Sequence, residues 1–257
     1  MKTVIIGTGN VAWHLSWALR CAGHEVLQVV GRSMEKAAEV AGRVGTEAVC
    51  RYEAVRPDAD AYVIAVKDDA VGQVAAALPR GLRGVVMHTA GSVPLSVFDG
   101  IRENAAVLYP MQSFTKGREL RYEEIPFFIE ATNAASLSVV RSLAESVSGS
   151  VRCIDSQQRL MLHLAAVFAS NMANHCYTLA ERIVNNAGID FSLYGPLIRE
   201  TAAKASVMSP KEAQTGPMRR GDTAVMEKQM SLLSDPMMRE FYALFAKSIG
   251  RINELTN

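Results

Sequence analysis

The sequence predicts an α/β protein in which an N-terminal parallel sheet with extra strands, residues 1–155, is followed by an all-α C-terminal domain, residues 156–257. Three observations predict it. Short β-branched runs alternate with longer amphipathic stretches over the first part, the pattern of βαβ units around a parallel sheet. A glycine cluster stands at the end of the first run, and beyond Asp155 no alternating run recurs.

Strands are expected at Thr3 to Ile6, Glu25 to Val30, Ala61 to Val66, Gly84 to His88, Ala106 to Tyr109, Pro126 to Glu130 and Val151 to Ile154. Between them, Val11 to Cys21 has apolar residues at helical spacing, and Ser33 can cap a helix running to Arg43 because its hydroxyl can accept from an unpaired first-turn N–H. Asp68 or Asp69 opens the next helix. In the second part a helix from Ser156 to Ala187, about 48 Å long at 1.5 Å per residue, ends at Gly188 with Ile189 behind it, a glycine C-cap with its apolar contact. A helix from Asp190 to Ala205 follows, disturbed at Pro196, then one from Asp222 to Leu233. Asp235-Pro236 begins the last, with Asp as N-cap and Pro at the first helical position.

Length and charge narrow the function classes. The 257 residues exceed one typical domain of about 100–200 residues. A formal charge of +1 gives no broad basic field for a phosphate backbone, so nucleic acid is not expected as a partner. The N-terminal apolar run stops too early for a signal peptide, and no run reaches about 18 apolar residues, so no membrane span is expected and the protein reads as cytoplasmic. Cys21, Cys50, Cys153 and Cys176 form no C-x-x-C pair, which fits reduced and mostly buried thiols. No metal-ligand spacing and no G-x-S-x-G elbow occurs.

Gly7-Thr8-Gly9-Asn10-Val11-Ala12 fits G-x-G-x-x-A between a predicted strand and a predicted helix. The first glycine permits the tight turn, the second lets the backbone approach a pyrophosphate, and Ala12 lets helix and strand pack closely. The helix N-terminus offers N–H groups and positive dipole to the anion. This is the dinucleotide-binding, Rossmann arrangement. The second strand ends in Gly31-Arg32-Ser33, where an NAD-preferring domain would carry a carboxylate for the ribose 2′-hydroxyl. Arg32 and Ser33 suit a 2′-phosphate instead, so NADP(H) is expected rather than NAD(H). Ligands of such sheets lie beyond the carboxyl ends of the strands. Val66 and Lys67 are therefore expected near the adenosine half, and Thr89 and Gly91 near the nicotinamide ribose. His88 reads equally as a sheet histidine or a ligand contact.

The chain also resembles a family of Rossmann-like NADP oxidoreductases with a helical C-terminal domain of unassigned role, relatives of pyrroline-5-carboxylate reductase and of deazaflavin-dependent NADP reductases. The resemblance rests on the glycine motif, His88-Thr89-Ala90-Gly91-Ser92, Tyr109-Pro110-Met111-Gln112-Ser113-Phe114, the run from His163 to His175, and Thr215-Gly216-Pro217-Met218-Arg219-Arg220-Gly221-Asp222. It implies a homodimer built on the helical domain and an active site between the two domains. Tyr109-Pro110 departs from the His-Pro the family leads one to expect.

At 100° per residue, His163 and Asn174 fall within about 20° of one helix face, with Asn171 close by. A polar line on an apolar helix needs partners, which a small-molecule substrate or a ribose can supply. The 3-hydroxyacid dehydrogenase mechanism uses a Lys on the equivalent helix, and Gln157 to Ala187 contains none. His163 can take over the proton as a group titrating near neutrality, and a protonated imine would need little acid help. The expected catalytic residues are thus His163, Asn171, Asn174 and Tyr109. Ser92, Gln112, Ser113, Arg219 and Arg220 are expected at the substrate, the arginines facing a carboxylate. The alternative is an NADP(H)-binding sensor or regulatory dimer without hydride chemistry.

Overall fold

A computed structural model describes residues 1–254. Among these residues the strands β1 (Lys2–Ile6), β2 (Glu25–Val30), β3 (Glu47–Val49), β4 (Ala61–Ile64), β5 (Val85–His88), β6 (Ala105–Pro110), β7 (Phe127–Ala131) and β8 (Val151–Cys153) form one sheet. Its order is β3-β2-β1-β4-β5-β6-β7-β8, parallel throughout except that β7 runs antiparallel to β6. Strand order reverses between β1 and β4, which places a crevice beyond their carboxyl ends. Helices α1 (Asn10–Cys21), α2 (Met34–Val44), α3 (Val71–Ala77) and α4 (Ala134–Glu145) follow individual strands.

The near-continuous apolar character of the strands reflects burial on both faces. On one face Ile5, Val29 and Val63 pack with Leu15 and Leu19 of α1, Val40 of α2 and Leu143 of α4. On the other, Val4, Ile6, Tyr62 and Ile64 pack with Val74 of α3 and with Phe98. Ser33 caps α2 by accepting from the Lys36 N–H at 3.4 Å, and Gly45, at φ +67°, closes it in the left-handed conformation.

Among the strands and α-helices of residues 1–155, β3 and α4 escape the sequence reading. β3 has three residues, one of them Glu47, too few for a period to show. α4 begins where Asn133 accepts from the Ser136 N–H at 2.9 Å.

Two compact units divide the chain, Met1–Ser170 and Asn171–Asn257. The sequence reading sets its boundary at 155/156; residues 156–170 group with the sheet. The helix expected from Ser156 to Ala187 comprises α5 (Ser156–Ala166), a π-helical stretch Val167–Met172 and α6 (Ala173–Asn186). Asp155 and Gln158 form a capping box at its start, with Asp155 accepting from the Gln158 N–H at 2.7 Å and Gln158 accepting from the Asp155 N–H at 3.1 Å. A π stretch bonds i to i+5 and so turns less per residue than an α-helix. The constant 100° step does not carry across it.

The second unit also contains α7 (Gly195–Val207), α8 (Pro210–Ala213), α9 (Pro217–Arg220), α10 (Thr223–Ser231) and α11 (Pro236–Glu254). Pro196 does not disturb a helix. It lies in the first turn of α7, where its missing N–H costs nothing. Asp222 caps α10 through the Val225 N–H at 3.3 Å, and Asp235 accepts from the Met237 N–H at 2.9 Å. The four cysteines are free and exposed rather than buried, because each lies at an element end or an outward position.

Candidate functional site

A cavity of about 770 Å³ opens at the strand-order reversal, lined by Gly7, Thr8, Gly9, Asn10, Val11, Gly31, Arg32, Val66 and Lys67 together with Tyr52, Asp69 and Gln73. The local sequence builds it. Gly7 has φ +135°, and a Cβ there would stand 2.0 Å from the Ala65 carbonyl oxygen, so only glycine allows β1 to turn against β4. A Cβ on Gly31 would stand 2.5 Å from Thr8 Cγ2. Gly9 differs: nothing lies within 4 Å of its would-be Cβ. The open space faces the start of α1, whose N-cap is Gly9 with no side-chain cap. Uncapped first-turn N–H groups beside a cradle that no side chain fills are what a pyrophosphate requires. Arg32 and Lys67, both exposed, add two cations to the lining. The residues present therefore fit a dinucleotide carrying a 2′-phosphate. Tyr52 and Gln73 join the wall unforeseen, because Tyr52 comes from a short 3₁₀ turn after β3.

Three residues expected at the cofactor lie outside this lining. The Ser33 hydroxyl caps α2. Thr89 is buried with its hydroxyl directed to the Ile64 carbonyl at 3.5 Å. Gly91 lies beneath His163: a Cβ there would stand 2.5 Å from its Nδ1.

His163 of α5 and Tyr109 of β6 meet. The Tyr109 hydroxyl lies 3.1 Å from His163 Nδ1, with the rings 5.9 Å apart and edge-on at 77°. Burial, and secondarily the Asp68 carboxylate, push the Tyr109 phenol up, while the Arg159 cation opposes them. The phenol stays protonated and can donate its O–H to Nδ1; we assign the bond in that direction, in which the imidazole proton sits on Nε2. The expected proton-handling residues of the first unit thus form one pair at the carboxyl end of the sheet.

His88, fully buried, is pushed down to about 3, first by burial and then by the Arg159 charge, so it is neutral. Its Nδ1 accepts from the Ala90 N–H at 3.2 Å and its ring stacks on Phe98. His88 is a sheet histidine that shapes the turn into Gly91.

The remaining expected residues are dispersed. Ser92 donates to Asp68, and Gln112 accepts from the Ser113 N–H at 2.7 Å. Asn10 donates to the Phe114 carbonyl at 2.8 Å, and the buried His14 lies 2.9 Å from the Thr115 carbonyl and 2.8 Å from the Tyr122 hydroxyl. These contacts tie the segment carrying Gln112 and Ser113 to α1. In the second unit Asn171 and Asn174 are exposed. Arg219 donates to the carbonyls of Glu212, at 3.1 Å, and Gln214, whereas Arg220 is exposed without an ion pair among the described residues.

The glycine cradle and its cations define a nucleotide-dependent oxidoreductase fold, and comparison with known proteins places the chain within it. The family described as NADP oxidoreductase coenzyme F420-dependent matches residues 2–87, and one described as a domain of unknown function (DUF2520) matches residues 125–249. The crystal structure of the putative NADP oxidoreductase BF3122 from Bacteroides fragilis is 38% identical, with a TM-score of 0.90 over 97% of this chain and 98% of that one. The chain belongs to this family of NADP oxidoreductases with a DUF2520 domain, and its cofactor is NADP(H). Protein TM1727 from Thermotoga maritima is 25% identical, with a TM-score of 0.74 over 98% of each chain. A reductive aminase from Aspergillus terreus, crystallised with NADPH and ethyl levulinate, shares the fold at 15% identity, with a TM-score of 0.73 over 96% of this chain and 93% of that one. No curated protein matches the chain. No helix among the described residues is long and apolar enough to cross a membrane, and none of their His, Cys, Asp and Glu side chains cluster as metal ligands.

Proposed function

We propose that the chain moves hydride between NADP(H) and a small carbonyl, hydroxyl or imine substrate bearing a carboxylate, with residues 1–155 holding the nucleotide and residues 156–257 serving substrate and dimer. The observation that carries this reading is the Tyr109–His163 hydrogen bond beside the loop after β5. When bound, NADPH supplies the hydride. A carbonyl oxygen needs a proton as hydride reaches its carbon: His163 gives it from Nε2–H while the Tyr109 O–H passes to Nδ1, and the phenolate left behind is reprotonated from solvent. Tyr109 keeps Nδ1 as acceptor and so fixes the tautomer that presents this proton. The direction is opposite to that of a triad carboxylate, which accepts from Nδ1–H of its histidine. An imine already protonated in solution asks less of the pair, and the shared fold of a reductive aminase is compatible with that substrate class.

Ser33, Thr89 and Gly91 remain proposed as cofactor contacts, and Ser92, Gln112, Ser113, Asn171 and Asn174 as polar groups for substrate. Arg220 is the proposed carboxylate partner, since backbone carbonyls engage Arg219.

Loss of NADPH absorbance in the presence of 2-keto acids, cyclic imines, or 2-keto acids mixed with an amine tests the reading. We expect one class to be consumed, and His163→Gln to lower kcat by roughly 10²- to 10⁴-fold, the range for a positioned general acid, with NADPH affinity unchanged. Binding without consumption across all three classes contradicts hydride transfer and favours a nucleotide sensor.

The partner that fits the second unit is another copy of this chain. Among its described residues, Val184 and Met238 are the buried hydrophobics, while Leu193, Leu197, Leu232 and Leu244 are 60–78% exposed. A cavity of about 720 Å³ lined by Leu179, Ile183, Phe241 and Phe245 opens on the same unit. So few buried side chains do not make a core, and apolar faces of this extent mark an interface. Sedimentation should give twice 27.9 kDa; a stable monomer contradicts the dimer.

A further inference from the structure

The first unit buries one cation whose role the cofactor cavity does not explain. Arg159 of α5 is 1% exposed and pairs with Glu130 of β7. Its second amino group donates to the Val93 carbonyl at 2.6 Å and to the Ser156 hydroxyl at 3.2 Å. Glu130 in turn accepts from the Ser156 N–H at 3.1 Å and the Ser156 hydroxyl at 2.8 Å, and that hydroxyl accepts from the Leu95 N–H at 2.9 Å. One guanidinium therefore ties together a sheet strand, the first turn of α5 and the loop after β5.

His163 stands four residues on from Arg159, on the same helix face, and Gly91 precedes Val93 by two residues. The two ends of the tie are thus the two sides of the His163–Gly91 contact, which leaves no room for even a methyl group. We propose that Arg159 and Glu130 are positioning residues that hold His163 over Gly91 and within hydrogen-bond reach of Tyr109. A buried ion pair is a poor source of stability, since apolar residues of the same volume often do as well. It is a good source of geometry, because the planar fork of Arg meets two acceptors in fixed directions and Lys does not.

This inference rests on His163 being the proton-handling residue, and its test separates the two claims. Imidazole ¹⁵N resonances of His163 report whether Nδ1 accepts a hydrogen bond. In the wild type they should show an acceptor Nδ1 and a protonated Nε2. In Arg159→Met they should move toward the averaged tautomers of a free imidazole, with NADPH affinity within about twofold, since Arg159 does not line the cofactor cavity. Arg159→Lys should not restore the signature, because an ammonium lacks the planar fork that fixes Glu130 and the Val93 carbonyl on two separate nitrogens. Should Arg159→Met fail to fold, Glu130→Gln serves, keeping an acceptor but losing the charge, with a smaller shift in the same direction. Unchanged His163 resonances in folded Arg159→Met or Glu130→Gln overturn the proposal. Altered resonances with unchanged turnover leave the positioning intact and remove His163 from the chemistry.

Discussion

Gly9→Ala is expected to abolish useful NADPH binding while leaving the fold untouched, and Gly7→Ala to do the reverse damage first. Gly9 has φ −81°, a conformation any residue adopts, and its would-be Cβ meets nothing within 4 Å. Stability should change by less than about 0.5 kcal/mol, as for a surface substitution. The methyl group would occupy the space that a pyrophosphate needs against the start of α1. Each charged backbone hydrogen bond is worth about 1.5–3 kcal/mol, so losing two lowers affinity by roughly 10²- to 10⁴-fold. Gly7, at φ +135° and 2.0 Å from the Ala65 oxygen, has neither freedom nor room. Strain and overlap with backbone should cost more than about 3 kcal/mol, lowering Tm by at least about 6 °C. Parallel melting and nucleotide titrations check both. A Gly9→Ala protein that still binds NADPH as tightly as the wild type would remove the pyrophosphate from this cradle.

Arg32→Ala carries the second large effect. Arg32 lies on the cavity wall at the end of β2, where no carboxylate stands to receive a 2′-hydroxyl. A charge-assisted contact to a 2′-phosphate contributes about 1.5–3 kcal/mol, or roughly 10- to 150-fold in affinity, toward the lower end at physiological salt because Arg32 is exposed. NADH lacks that phosphate and should bind the variant within about twofold of the wild type. Lys67, which also lines the cavity, should retain part of the preference. An equal loss for NADPH and NADH would mean that Arg32 contacts something common to both.

What the sequence makes legible follows from how local the signal is. The glycine motif is legible because a strand, a tight turn and a helix N-terminus are specified within a few residues, and Arg32 and Lys67 join it because each follows the carboxyl end of a parallel strand flanking β1. Tyr109 and His163 stand out in the sequence on separate grounds, and the fold brings strand β6 and helix α5 together across 54 positions. Arg159 and Glu130 stayed hidden. A lone Arg in an apolar helix and a Glu ending a strand each read as solvated, and only tertiary pairing shows otherwise. Thr89 and Ser33 are expected at the cofactor from their proximity to strand ends alone; their hydroxyls also engage the backbone, and the contacts stand as proposals. The shared face of His163 and Asn174 assumed a uniform helix, and the π stretch at Val167–Met172 is a hydrogen-bonding choice that side-chain periodicity does not encode.

Titration of the purified chain with NADPH and with NADH, followed by nucleotide fluorescence, tests the central claim most directly. Saturable binding of NADPH, tighter than that of NADH, is the predicted result. Binding of neither nucleotide would contradict it.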